Sequence, residues 1–579
     1  RELGLRRSSL QESIRLAEDL LTYQIQTIIF GVTRRSVEVM LRYLQERTGE
    51  PHKGEAPIRG YRSGYLPHHR REIERGLRSG DVRAVVATTA LELGIDIGGM
   101  DAAILAGYPG TIAATWQQAG RAGRKNEASL SVLVASANPL DQFLAHHPEY
   151  FFERNPEQGL INPNNLLILL HHLRCAAFEL PFRDAEGFGN VPAEQLIGFL
   201  EFLRQEGVLH HSGGRYFWMA DRYPAESVSL RSTSAETVLL QVPQDENGTQ
   251  VARKTIGEVD IASAHWMVHP GAVYLHEAQS YLVEDLDLQN KLARLRPLDV
   301  DYYTEPLSET QVQLIEKLGE SAVPGGVKFH GEILVTTQVD GFRKVKWHTH
   351  ENLGYEDLSL PPVELQTTGY WVALSEETVD KLKELGLWLN AANDYGPGWA
   401  ALTARVRGRD GYRCQICGAP ESHRAHDVHH KIPFRAFSSR DQANQLSNLI
   451  TLCPACHKRA ETAVRIRSGL AGLGYVLGQL APLFLMSDVR DLGRHSDAQS
   501  PLADGLPAVV IYDQVPAGIG FSERLYEMHA EMMNRAVELV SACECLDGCP
   551  SCVGPGGESG AGGKRETLAI LETLCELNR

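Results

Sequence analysis

Eight of the ten cysteines fall in two tight groups, Cys414, Cys417, Cys453 and Cys456, then Cys543, Cys545, Cys549 and Cys552. Two Cys-x2-Cys pairs, or one Cys-x-Cys-x3-Cys-x2-Cys run, have the spacing of thiolate knuckles that close on one tetrahedral zinc. In a reducing compartment such groups bind metal rather than pair as disulfides. Both sites are expected to be structural, and the lone Cys175 and Cys575 are expected to be buried small apolar residues. Within the first group lie His429, His430 and Asn448, with His457 directly after the last cysteine. Adjacent residues of a strand point to opposite faces, so His429 can hold an ion while His430 faces water. His423 and His426, in the loop between the knuckles, are expected to be solvated. Far upstream, "WQQAGRAGRK" puts Arg121 and Arg124 on a glycine-rich turn, suited to reaching a phosphate that another loop must hold.

The elements that must position these residues are legible in outline. A chain of 579 residues, 43% hydrophobic and 22% charged, has room for about three to five domains. No apolar run long enough to span a membrane and no secretory leader pattern is read in it, so a cytoplasmic location is expected. The net charge of -16 argues against nucleic acid only on average, because residues 401–460 hold ten Lys and Arg against four Asp and Glu. Short β-branched runs alternate with helical patterns from Thr27 to about Ser136, which predicts a parallel sheet with covering helices. "PAEQLIGFLEFLRQEGV" and the Gly213–Gly214 hairpin after it predict a winged helix.

"ATTALELGIDIGGMDAAI" followed by "WQQAGRAGR" resembles the fifth and sixth motifs of superfamily-two helicases (DEAD/DEAH box). In such enzymes ATP with Mg sits between two RecA-like lobes. The resemblance implies that Arg121 and Arg124, with Gln117 beside them, stabilise charge on the phosphoryl group, that Gly94 and Asp96 touch the ribose, and that Thr88 and Thr89 contact the DNA backbone. No Walker A loop is present: the nearest match, Gly562-Gly563-Lys564, is followed by Arg565, has Glu558 where the first glycine belongs, and no strand precedes it. Since the chain also begins at Arg1, the first lobe is expected on a preceding segment or a separate chain. The longer matches, "GYPGTIAATWQQAGRAGR", "IYDQVPAGIGFSERLYE" and "CECLDGCPSC" among them, resemble the MrfA/YprA branch of RecQ-like DNA helicases over roughly residues 1–370 and 465–579. That likeness implies ATP-driven 3'-to-5' translocation on DNA, a winged helix and a C-terminal four-cysteine domain.

Residues 401 to 460 depart from that pattern. "GYRCQICG", "DVHHKIPF" and "LSNLITLCPACHKR" resemble an HNH endonuclease, a ββα-metal fold. The resemblance implies His430 as general base, His429 and His457 as ligands of a catalytic Mg or Mn, and Asn448 as the residue that holds the loop positioning the base. Arg405, Arg407, Arg409 and Arg413 could track a DNA backbone, or could form a solvated helix face. A zinc ribbon that binds DNA without cutting is the alternative for the segment.

The expected fold is multidomain α/β and α+β: a second RecA-like lobe (1–155), a helical connector and winged helix (156–224), a β-rich, barrel-like domain (225–370), a linker (371–400), the HNH domain (401–464) and an α/β zinc-binding domain (465–579). The expected function is the C-terminal part of a DNA helicase fused to a metal-dependent nuclease, in repair or in defence against foreign DNA. The alternative is a non-catalytic DNA-binding subunit.

Overall fold

Thr27–Gly31 (β1), Ile58–Tyr61 (β2), Ala84–Ala87 (β3), Ala102–Ala106 (β4) and Leu130–Val134 (β5) are short apolar runs, and they build one parallel sheet ordered β2-β3-β1-β4-β5. β1 and β3 are buried at every residue, as strands covered on both faces must be. Side chains of β1 divide by alternation. Ile29 packs with Val37, Met40 and Leu41 of the helix Arg34–Thr48, whereas Ile28 and Phe30 pack with Ile73 and Leu77 of the helix Pro67–Ser79. Each such fully buried side chain contributes roughly 2 kcal/mol. The helix Arg34–Thr48 is bounded by Thr33, whose hydroxyl accepts from Ser36 N, and by Gly49 in the left-handed region (φ 71°).

The computed structural model describes residues 8–49, 57–92, 97–123, 128–157, 159, 162, 165–228, 236–243, 253–349, 351–387, 395–421, 425–430, 440–454, 456–457, 469–545, 548–554 and 563–575. Among them no helix is long and apolar enough to cross a membrane. The helices Leu166–Glu179 and Ala193–Gln205 share a core with the hairpin Leu209–Ser212 and Arg215–Trp218. Its turn residues Gly213 and Gly214 have φ of 58° and 73°, a conformation that favours glycine.

The β-rich expectation is met by two sheets. Residues 237–297 form a five-stranded sheet, fastened to the RecA-like lobe by a buried ion pair. Arg62 Nε donates to Glu38 Oε1 (2.7 Å) while its Nη2 donates to Tyr274 Oη and to the Leu275 carbonyl. Glu38 also accepts from Tyr65 Oη and Ala278 N. Both charges of the pair belong to the lobe, and further hydrogen bonds of each cross to the sheet.

The second sheet crosses the boundary drawn at residue 370. The long hairpin Tyr302–Val323 and Gly326–Lys346 pairs through Gly326–Lys346 with Val363–Leu374, which pairs with Ala508–Asp513, and that strand pairs with Leu492–Asp497. One core joins Tyr370, Val372 and Leu374 to the helices Gly469–Leu485, His529–Ala542 and Gly563–Leu574. The segment 371–400 also differs from a plain linker. It finishes the strand and forms the helix Glu376–Glu384, whose Val379 and Leu382 enter the same core. Apolar face outweighed the linker-like Gly and Pro near 396–398. The HNH segment thus sits between two hydrogen-bonded neighbouring strands of the C-terminal sheet.

Within that core Tyr370 Oη and His529 Nδ1 are hydrogen-bonded at 2.6 Å. Burial, with Lys328 nearby, lowers His529 to about 4. The folded state keeps the ring neutral, so its contribution is whole above the unfolded value of about 6.5 and disappears as pH falls through about 4. Between pH 7 and pH 4 the C-terminal unit is expected to lose about 3 kcal/mol from this group. Urea midpoints at both pH values check it: His529→Phe should show a smaller acid-induced fall than the parent.

Candidate metal centres and phosphate-reaching site

The first sulfur group is built at the edge of a small ribbon. Cys414 and Cys417 follow the helix Trp399–Arg409, and Cys453 and Cys456 follow the strand Leu449–Leu452. A tetrahedral ion with bonds of about 2.3 Å puts its sulfurs about 3.8 Å apart. Cys417 and Cys453 Sγ lie 3.7 Å apart, and all four sulfurs lie within 4.8 Å of one another. Against burial, the backbone N–H groups of Cys417, Cys453 and Ile416 bring the Cys414 thiol down to about 6, while burial and the neighbouring sulfurs push Cys456 far up. A cation would draw all four into the thiolate form.

The second group has the same dimensions, with sulfur separations of 3.5, 3.6, 3.5 and 3.8 Å. Both groups therefore fit zinc. Lys564, set aside as a Walker A residue, donates to the carbonyl oxygens of Cys543 and Cys545 and puts a positive charge beside the sulfurs. Ser551, between two ligands, ties this knuckle to the RecA-like lobe by donating to the Ala137 carbonyl (2.8 Å). Cys575 is buried as expected, and Cys175 is half-buried.

The strand Asp427–His430 pairs antiparallel with Leu449–Leu452, His429 opposite Ile450 and His430 opposite Leu449. Alternation sends the two histidines apart. His429 meets His457 edge-on, with ring centroids 5.4 Å apart. Asp427, two residues earlier and so on the same face, brings Oδ2 to 3.6 Å from His457 Nδ1. Burial, with His457 and His430 close by, lowers His429 to about 4, which keeps it in the neutral, ligating form except in acid.

His430 is not open to bulk solvent, and here the expectation is corrected. It is only 6% exposed. The rings of Tyr395 and Trp399 lie parallel to its imidazole, each with its centroid 5.2 Å away, because the segment leading into the domain folds back over it. Burial lowers the pKa of His430, partly offset by a bond to Asn444. Asn448 is buried and donates to the Ala443 carbonyl, tying the turn ahead of the second strand. His426 is buried rather than solvated: its Nε2 bonds the Ala419 carbonyl (2.9 Å), since the loop tucks it under the first knuckle. His423 lies outside the described residues.

The arginines before the first knuckle differ from one another. Arg409 is committed to the fold, donating to Asp410 and to the carbonyls of Leu446 and Leu449. Arg407 faces Glu421 at 3.6 Å, Arg413 donates to the Gly418 carbonyl, and Arg405 is exposed. Asp427, Asn444, Tyr395 and Trp399 escaped the sequence reading. For Asp427 the signal was there, two residues before His429 on a strand. For the others, contact depends on chain folding that no local pattern announces.

At the lobe's arginine turn, Arg121 Nε donates to the Glu92 carbonyl at 3.0 Å, and Gln118 Nε2 donates to Glu92 Oε2. Gln117 is exposed, as is Thr89, and the buried Thr88 caps the turn Thr89–Leu91 with its hydroxyl. Gly94, Asp96 and Arg124 lie outside the described residues. Arg490 of the C-terminal unit reaches this lobe and donates to the Val32 carbonyl (2.8 Å).

Comparison with known proteins places these sites in a family. Residues 12–126 match the helicase conserved C-terminal domain, 161–233 the winged helix domain of the ATP-dependent helicase HRQ1, 414–462 the HNH endonuclease domain and 473–553 the MrfA Zn-binding domain. The chain is 36% identical over 574 residues to the ATP-dependent helicase YprA of Bacillus subtilis, covering 99% of this chain and 64% of that protein. It is 31% identical over 389 residues to the ATP-dependent helicase HRQ1 of Saccharomyces cerevisiae, covering 65% of this chain and 35% of that one. The crystal structure of the DUF1998 helicase MrfA bound to DNA superposes with a TM-score of 0.62 at 35% identity, over 99% of this chain and 65% of that one. The chain thus spans a little under two thirds of the length of YprA and MrfA.

The sulfur geometry makes a direct prediction. Purified protein should carry about two zinc ions per chain, one for each cysteine group, and Cys453→Ser should lower this to about one. Metal analysis after gel filtration reads the result.

Proposed function

The chain belongs to the MrfA/YprA type of helicase and carries HNH and zinc-binding domains, and from that membership we propose that it joins ATP-driven movement on DNA to metal-dependent cutting of the DNA backbone. The observation that carries the cutting is the approach of His429 and His457 on one face of a ribbon braced by four sulfurs. A divalent ion, Mg or Mn, would supply positive charge at a scissile phosphate. His429 and His457 would hold it, His430 would take the proton of the attacking water, and Asn448 would keep the turn behind them in place. Arg405 and Arg413 are the arginines best disposed to meet phosphates. Asp427 adds a negative charge to the ion's face.

For the motor, Arg121 and Arg124 would stabilise charge on the phosphoryl group of ATP with its Mg, Gly94, Asp96 and Gln117 would line the nucleotide, and Thr88 and Thr89 would touch DNA. The phosphate-cradling loop would come from a first RecA-like lobe, on another segment or another chain. A cytoplasmic role in DNA repair or in defence against foreign DNA suits this pairing of activities. A second reading, a subunit that binds DNA without cutting it, is favoured by the aromatic cover over His430.

Supercoiled plasmid separates the two readings. The zinc-loaded chain is expected to nick it with Mn or Mg and not with chelator, and His430→Ala and His429→Ala are each expected to slow nicking by about 100-fold or more. A zinc-loaded parent that binds plasmid and leaves it intact would favour the binding subunit. ATP hydrolysis by these 579 residues alone should be negligible even with DNA, since neither arginine has a cradled phosphate to act on. A coupled phosphate-release assay checks this, and robust turnover would refute the need for a further lobe.

A further inference from the structure

We infer that Asn444 is a positioning residue for His430 and decides which of its ring nitrogens carries the proton. The inference rests on the nuclease reading and names the holder of its base. Asn444 follows the short helix Arg440–Ala443, and its side chain bridges two segments. Its Nδ2 donates to the Tyr395 carbonyl oxygen at 3.0 Å, and its Oδ1 lies 3.0 Å from His430 Nε2.

These two contacts determine the amide's orientation. A backbone carbonyl only accepts, so the atom facing Tyr395 must be the amide nitrogen, and Oδ1 is left facing the imidazole. Oδ1 also only accepts. His430 Nε2 therefore carries the hydrogen, and the lone pair that can take a proton from water belongs to Nδ1.

The aromatic cover fits the same role. Tyr395 and Trp399 lie within 17° and 6° of parallel to the imidazole and stack on each other with centroids 4.3 Å apart, so they pack as a pair on one side of it. A ring nitrogen abstracts a proton through its lone pair, which lies in the ring plane and not on the face. Stacking sets the ring's plane, Asn444 sets its rotation and tautomer, and the Nδ1 edge does the chemistry. A base buried in this way is held in one orientation before the substrate arrives, which is the condition for efficient proton transfer.

The test uses plasmid nicking in Mn by the full chain and three variants, His430→Ala, Asn444→Leu and Asn444→Asp. Both substitutions at 444 remove the bond to the Tyr395 carbonyl, but only the aspartate keeps an acceptor for Nε2–H. Asn444→Leu should slow nicking by about 10- to 100-fold, while Asn444→Asp should stay within about fivefold of the parent, with zinc content unchanged in both. Equal losses would show that Asn444 merely ties down Tyr395, and no loss in either would show that it has no role; each result overturns the inference. A zinc-loaded parent that does not nick removes the nuclease reading itself, and this inference with it. Should Asn444→Leu lose its zinc, Asn444→Ala takes its place in the comparison.

Discussion

The pairing of Val363–Leu374 with Ala508–Asp513 is the constraint on which the rest of the arrangement depends. Five residue pairs, from Gly369 opposite Tyr512 to Ala373 opposite Ala508, lock two strands that are far apart in sequence and adjacent in space. Between them in sequence lie the nuclease-like ribbon, the core helix Gly469–Leu485 and the strand Leu492–Asp497 of the same sheet. An insertion at such a point adds a closed loop whose entropic cost grows only slowly with length. The host sheet can therefore carry an inserted HNH domain without changing its own register.

The ribbon has to stabilise itself. Its buried apolar cluster is small, Cys414, Leu452 and Cys456 with Ala419, Ile450 and Cys453 against them, and half of those residues are metal-type ligands. Among the described residues that cluster is small, which makes the four sulfurs and the ion they fit a large part of what closes the ribbon. By contrast, the C-terminal unit closes its zinc knuckle on a large apolar core that already includes Leu473, Val476, Ile511 and Met533. The same chemical device helps close the ribbon in one place and trims a loop in the other.

The two halves of the molecule meet where phosphate chemistry is expected. Arg490 crosses from the C-terminal unit to the Val32 carbonyl, and Ser551 crosses from the zinc knuckle to Ala137. The buried Arg62–Glu38 pair of the lobe reaches the five-stranded sheet through hydrogen bonds to Tyr274, Leu275 and Ala278.

The cysteine spacings, the alternation through "DVHHKIPF", the β-branched runs and the Gly213–Gly214 turn carried the zinc-type groups, the facing of His429 away from His430, the parallel sheet and the winged helix, because each is a local pattern with a single geometric outcome. Tertiary structure alone decided that His430 lies under Tyr395 and Trp399, that Asn444 reaches it, that Arg409 serves the fold rather than a free face, and that residues 302–374 share a sheet with 492–513. Those contacts join segments many residues apart, and their free energy comes from burial and hydrogen bonds made only once the chain has closed on itself, which no window of sequence records.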